Sequence, residues 1–210
     1  MNNYLKTGIL LLTLAIPVFI WLFLKNFGQN QFALPVYYEE SVPDIANCNT
    51  LNSPHAVSIL KNEKNSLPTN NGIDQEVSVS YTLPEVCNED CQLVLEELAN
   101  LQTIFSDTSD FQILVFASDA YTRQKINKLK ERYLANPTTW KFVVIENTSF
   151  VQLNRCGFLL SQVDFEQPLI MTDTRGRIRG YYGGSDQEEI DRLKGELKIL
   201  YYMQESTLYD

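Results

Sequence analysis

Apolar positions follow several distinct rhythms along the chain, and each rhythm predicts a different element. Gly8 to Leu24 is apolar apart from Thr13, with Lys6 and Lys25 at its ends. Roughly 18 residues at 1.5 Å rise just cover a hydrocarbon core of about 30 Å. Trp21 and Phe23 fall where the interfacial aromatic belt would lie. A cleaved signal would have a shorter apolar core followed by small residues two apart. Here Trp21-Leu22-Phe23-Leu24 follows instead, so an uncleaved transmembrane anchor is expected over 1–25, with the short N-terminal arm inside and the remainder outside.

Beyond the anchor, Asn26 to Asp44 lacks period and reads as a linker. Asn47 to Gly72 is irregular and polar, with Ala56 to Leu60 as a short strand. Val77 to Tyr81 alternates as a half-buried strand does, and from Asp90 the pattern turns helical, with a stripe of Leu93, Val94, Leu98, Leu101 and Phe105. Phe111 to Ala117 is continuously apolar after Gln112, as in a strand covered on both faces. Ile126, Leu129, Tyr133 and Leu134 mark a second helix, capped by Thr122 and stopped at Asn136-Pro137. Lys141 to Ile145 is a strand and Thr148 to Arg155 a short helix. Leu169 to Thr172 and Arg177 to Tyr181 form a hairpin about Thr174-Arg175-Gly176. Ser185, with Glu188 three residues on, predicts the cap of a last helix carrying Ile190, Leu193, Leu197 and Leu200. The expected organisation is anchor 1–25, linker 26–44, domain 45–203 and tail 204–210. Parallel strands with crossovers come first and an antiparallel pair last, which predicts a three-layer α/β domain with a mixed sheet.

Composition narrows the partners. The chain has 210 residues and a formal net charge of -9. Its first thirty residues hold two lysines and no acid, so removing those two positive charges leaves -11 for the rest. A surface this negative excludes nucleic acid, which needs a basic footprint. It also disfavours binding of the folded part to anionic lipid. No Gly-rich phosphate loop, nucleophile elbow or paired carboxylate supports a hydrolase.

The chemistry concentrates on the cysteines Cys48, Cys87, Cys91 and Cys156. Cys87 and Cys91 stand between the Val77 strand and the helix that follows, the layout of a dithiol or soft-metal site. A helix N-terminus lowers the pKa of Cys87, whereas Glu89 and Asp90 oppose the thiolate. The pair can serve dithiol–disulfide exchange, hold Cu(I) between two thiolates, or form a permanent structural disulfide. Met171, Cys156, Glu166 and His55 are the side chains that could complete a metal site. The plainer expectation for each of three is a core residue (Met171), an idle thiol (Cys156) and a surface loop residue (His55).

The run Asp173-Thr174-Arg175-Gly176-Arg177-Ile178-Arg179-Gly180-Tyr181-Tyr182-Gly183-Gly184-Ser185-Asp186, continuing to Leu193, closely resembles the turn, hairpin and capped final helix of the Sco/SenC family. Cys87-x-x-x-Cys91 is similar to that family's copper-binding pair, and the resemblance covers roughly Val77 to Leu200. It implies a thioredoxin-like fold anchored in the cell inner membrane by a single pass, with the domain in the periplasm of a bacterium. It implies a role in building the copper centre of cytochrome oxidase, with copper as cofactor or cargo and a respiratory oxidase subunit or periplasmic thiol protein as partner. Two positions depart from the family pattern. Asn88 replaces the proline after the first cysteine, and Phe165 stands where the third copper ligand, a histidine, belongs. Pro168 resembles the cis-proline that packs on the reactive disulfide of thioredoxins. The expected roles are therefore Cys87 as attacking or metal-facing thiol, Cys91 as its resolving partner, and Pro168 as a groove-shaping residue. The competing expectation is a non-enzymatic docking subunit that keeps the fold without the copper histidine.

Overall fold

The computed structural model describes residues 12–23, 34–45, 48, 55–57, 76–108 and 110–207. The chain divides into two units, Met1–Ala33 and Leu34–Asp210. In the first, residues 12–23 form a helix, α1, whose large apolar side chains, Leu14, Phe19 and Trp21 among them, are exposed. Residues 1–11 and 24–25, the rest of the expected anchor, lie outside the described residues. Among the described residues no helix is long and apolar enough to cross a membrane.

In the second unit the elements run β1 (Val77–Thr82), α2 (Glu89–Ile104), β2 (Phe111–Ser118), α3 (Arg123–Arg132), β3 (Trp140–Ile145) and α4 (Asn147–Gln152). A π-turn, Leu153–Gly157, and a 3-10 turn, Leu160–Gln162, lead into β4 (Pro168–Thr172), β5 (Ile178–Gly183) and α5 (Gln187–Thr207). The sheet order is β3-β2-β1-β4-β5. β1, β2 and β3 pair in parallel, and β4 and β5 join antiparallel, as the element order predicts.

β2 is buried along its whole length, so its unbroken apolar run faces two cores. Phe111, Ile113, Val115 and Ala117 point into one built with α2, α3 and α5. Leu114 and Phe116 point into the other, with Val57, Leu153, Phe158 and Tyr181. The second outer layer is therefore mostly non-helical: the chain around Tyr37, Tyr38 and Val57, together with α4 and the π-turn. Backbone bonds hold that strap in place: Tyr37 N–H donates to Ile178 O (2.9 Å) and Val57 N–H to Gly176 O (2.8 Å). Arg179 Nη2 donates to Leu34 O (2.9 Å). Residues 34–38 thus belong to the folded unit, not to a free linker over 26–44. Ala56 makes a single bridge to Arg177, and the rest of the strand expected to Leu60 lies outside the described residues.

Other local expectations shift by a residue or a face. Leu93 is 48 % exposed, and Leu95 joins Cys91, Val94, Leu98 and Leu101 on the buried side of α2. Thr122 caps α3 as predicted, accepting from Lys125 N–H. Leu134 is not on its buried stripe. It takes φ 50°, with Ala135 N–H donating to Lys130 O and Leu134 N–H to Glu131 O, the bond pattern of a left-handed helix stop, and is 81 % exposed. The cap of α5 falls on Asp186, not Ser185: its Oδ1 accepts from Glu188 N–H (2.9 Å) and its carbonyl from Ile190 N–H (3.0 Å). α5 then continues through Thr207, into the expected tail.

α5 docks on the sheet through Tyr182. Its hydroxyl donates to Glu196 Oε2 (2.8 Å) and lies 3.9 Å from Met171 Sδ, while the Arg192 guanidinium covers the ring at 4.4 Å. The ring occupies the space above Gly180, where an added Cβ would collide with the hydroxyl. Gly180→Ala should therefore push Tyr182 off Glu196 and destabilise the domain by about 1–3 kcal/mol, read as a lower denaturation midpoint. An unchanged midpoint would mean that the ring yields freely.

Burial raises the hydroxyl pKa of Tyr81, Tyr121, Tyr133, Tyr181, Tyr182 and Tyr201 above the ordinary 10.0. The unfolded chain releases these protons first, so their contribution is complete below about pH 10 and is lost as pH climbs toward the folded values. Tyrosinate absorbance should rise together with loss of the near-ultraviolet dichroism above about pH 10. Smooth titration of all eleven tyrosines with the dichroism intact would contradict this.

Candidate functional site

β1 ends at Thr82, and the chain is pinned at once: Leu83 N–H donates to Phe116 O (2.8 Å), and the Tyr121 hydroxyl donates to Pro84 O. Four residues later α2 begins with Asn88 as its N-cap, Oδ1 accepting from Cys91 N–H at 3.0 Å. This is the bond an N-cap side chain makes to the third helical residue. The residue that departs from the family's proline is thus the one that starts the helix. It also orders the loop between the two cysteines.

Cys87 and Cys91 form a disulfide with Cα atoms 5.2 Å apart. Their surroundings differ. Cys91 is fully buried in the main core, while Cys87 is half-buried at its margin. Glu89 and Asp90 fill the first turn of α2. They suit the helix dipole and weigh against a thiolate at Cys87. Arg132, from α3, reaches the same end of α2 by donating to Gln92 Oε1 (3.1 Å).

Pro168 opens β4 and is buried, paired with Gly183. Since Tyr81 pairs with Leu169, Pro168 comes to the sheet end from which the cysteine loop departs. The residue before it, Gln167, is held from two sides. The Tyr81 hydroxyl donates to its Oε1, and Gly184 N–H donates to its carbonyl (2.8 Å). A Cβ on Gly184 would meet that carbonyl at 2.7 Å and Val94 at 2.8 Å, so only glycine allows this approach. Burial, then Tyr121, then Asp90 raise the Tyr81 hydroxyl, which keeps it protonated and donating. No local sequence pattern marks Tyr81, Tyr121 or Gln167 as site residues. An alternating tyrosine reads as core, and nothing local shows that its hydroxyl reaches across 86 positions.

Three of the four candidates for a third metal ligand are engaged elsewhere. Met171 is core, as expected. Cys156 is not an idle thiol, for it is bonded to Cys48 across a sequence separation of 108. His55 is not a surface residue. It is 6 % exposed, its Nε2 donates to Gly157 O (2.8 Å), and Tyr38 packs edge-on against the ring. Glu166 is exposed, and Phe165 is 37 % exposed, its ring against Gly183. Among the described residues no group of three or more His, Cys, Asp or Glu could hold a metal ion. The donor set at the loop is two sulfurs joined to each other, which does not fit a three-ligand copper site.

No protein-family model matches the sequence, and no curated protein matches it. Among solved structures, the chain is similar to a SCO1/SenC family lipoprotein from Bacillus anthracis str. Ames, with TM-score 0.53 and 15% identity over 61% of this chain and 83% of that one. It is also similar to BsSco, described as a member of the Sco family of cytochrome c oxidase assembly proteins. There the TM-score is 0.51 and the identity 16%, over 61% of this chain and 81% of that one. At such identities the likeness is one of fold, and the chain has the thioredoxin-like fold of the Sco/SenC proteins.

Proposed function

We propose that this chain is a thiol–disulfide exchange protein that works through Cys87 and Cys91. The observation that carries the reading is the asymmetry of the disulfide: one sulfur at the margin, the other fully buried at a capped helix start. Cys87 is the attacking thiol, Cys91 resolves, and Pro168 shapes the groove beside them. In the reduced state the Cys87 thiolate attacks a partner disulfide, forming a mixed disulfide and expelling the partner's second sulfur as a thiolate. Cys91 then attacks the Cys87 sulfur and releases the partner's first thiol. Two electrons pass to the partner, and the chain returns to the disulfide seen here. The acids at the helix start oppose the thiolate that the helix N-terminus favours, which weighs against a strongly oxidising pair.

The apolar helix over 12–23, exposed on all sides, supports a membrane anchor, with the domain on the periplasmic side. The fold shared with cytochrome c oxidase assembly proteins supports service to a respiratory oxidase subunit, with another periplasmic thiol protein as the other candidate partner.

The test is equilibration of the folded full chain in detergent with dithiothreitol buffers, followed by alkylation and mass analysis. Cys87–Cys91 should open and close reversibly with the domain's dichroism unchanged. A pair that stays oxidised until the domain unfolds is a structural cross-link, and the proposal then fails.

A further inference from the structure

A cleft of about 330 Å³ opens at the C-terminal ends of β1 and β2. Ser118 ends β2, Glu85 comes from the loop after β1, and Phe150, Val151, Arg155 and Leu160 come from α4 and the turns after it. In open α/β sheets this is the end where ligands bind. Glu85 precedes Cys87 by two residues, so their Cα atoms lie within about 7 Å of each other. The volume is at the small end for ligand sites, room for one or two side chains. Two apolar residues of this region are uncovered: Val151, in the cleft wall, is 54 % exposed, and Val86, beside Cys87, is 78 % exposed. Two of the polar groups are unspent. Arg155 makes no ion pair among the described residues, and Asn154, also in the lining, has a buried Oδ1 without a hydrogen-bond partner among them.

We propose that this cleft is the subsite for a partner polypeptide at the moment of exchange, receiving an apolar side chain next to the partner's reactive cysteine. The proposal rests on the exchange reading above. A partner sulfur bonded to Cys87 must bring its neighbouring residues over the loop. Glu85, two residues before Cys87, links the loop to the cleft, whose apolar wall is formed by Phe150, Val151 and Leu160. The Arg155 guanidinium, in the cleft lining, offers donors to the carbonyl groups of a partner main chain. A low-molecular-weight thiol would fill the cleft without such a side chain, so the two occupants separate experimentally.

The experiment uses the reduced full chain in detergent and two short synthetic peptides. Each carries one cysteine activated as its mixed disulfide with thionitrobenzoate, with leucine or aspartate next to the cysteine. Cys87 attacks the peptide sulfur and expels thionitrobenzoate, whose absorbance gives the rate; Cys91 then releases the peptide as a free thiol. Every rate is normalised to the same protein's reaction with dithiobis(nitrobenzoate). The leucine peptide should react about tenfold faster than the aspartate peptide. Val151→Asn should bring that ratio close to one, and Val151→Trp, which fills the cleft, should slow both peptides. Equal rates for the two peptides, or a ratio that survives in Val151→Asn, overturn the cleft proposal and leave the exchange reading standing. If oxidised glutathione outpaces both peptides and is the substrate that Val151→Trp slows, the occupant is a small thiol and the proposal is wrong. If neither dithiobis(nitrobenzoate) nor any peptide reacts at Cys87, both readings fall.

Discussion

Cys87→Ser should reduce exchange to background, whereas Cys91→Ser should accumulate a lasting mixed disulfide with the partner. The prediction follows from burial. The Cys91 sulfur lies in the main core and cannot be reached by a partner, so without Cys87 no attack begins. Without Cys91 the attack proceeds but nothing resolves it. Both variants lose the same short cross-link, which chain entropy values at about 2 kcal/mol. Cys91→Ser also buries a hydroxyl in the core and costs more stability, so the readout that reports chemistry is the trapped adduct, which a folding loss does not create. Non-reducing gels of full chain incubated with a disulfide-bearing partner give the readout, and equal behaviour of the two variants would refute the assignment of roles.

Asp173→Ala is expected to be the most destabilising single substitution in the domain, at about 3–5 kcal/mol. The carboxylate is 2 % exposed. Its Oδ1 accepts from the backbone of Arg175 (2.9 Å) and Arg177 (3.0 Å), while Oδ2 accepts from Arg177 Nε (2.8 Å) and Arg179 Nη1 (3.4 Å). Gly176 closes the turn at φ 73°, a conformation that costs glycine little. Removing the carboxylate leaves Arg179, 4 % exposed, as a buried cation without its partner. Burial already lowers the Arg179 pKa, and Asp173 is the main group that opposes it, ahead of Glu39. Since Arg179 also holds Leu34 O, the strap should loosen along with the hairpin. Urea denaturation measures the loss. Arg179→Met placed on Asp173→Ala should recover part of it, and a double variant no better than the single one would show that the carboxylate acts mainly through the turn backbone.

Those two predictions rest on different kinds of information. The strands, the helix order and the cysteine loop could be read directly, because alternation, unbroken apolar runs and caps are local patterns. Leu93 and Leu134 leave the expected stripes for local reasons too. Leu95 completes the stripe begun at Cys91, and a left-handed residue turns its side chain away from the helix face it appears to continue. The position of His55, the Cys48–Cys156 bond and the Tyr81–Gln167 contact have no local signature. Each depends on segments far apart in sequence being brought together by the sheet. The strap is harder still to see, since backbone bonds from Tyr37 and Val57 hold it, and these are available to almost any residue type. The cleft lies between strand ends and the π-turn. None of its lining residues carries a local pattern that marks a site.

The Cys48–Cys156 bond also sets how the chain carries tension. If the N-terminal segment is fixed in a bilayer and the domain is pulled from its other end, force reaching Cys48 passes straight through the sulfurs to Cys156. The chain between them forms a closed ring. The thiol loop and all three parallel strands sit inside it, out of the line of load. Reducing that one bond would place the whole separation of 108 positions back under tension. The reactive disulfide would then work on a scaffold that external force can deform.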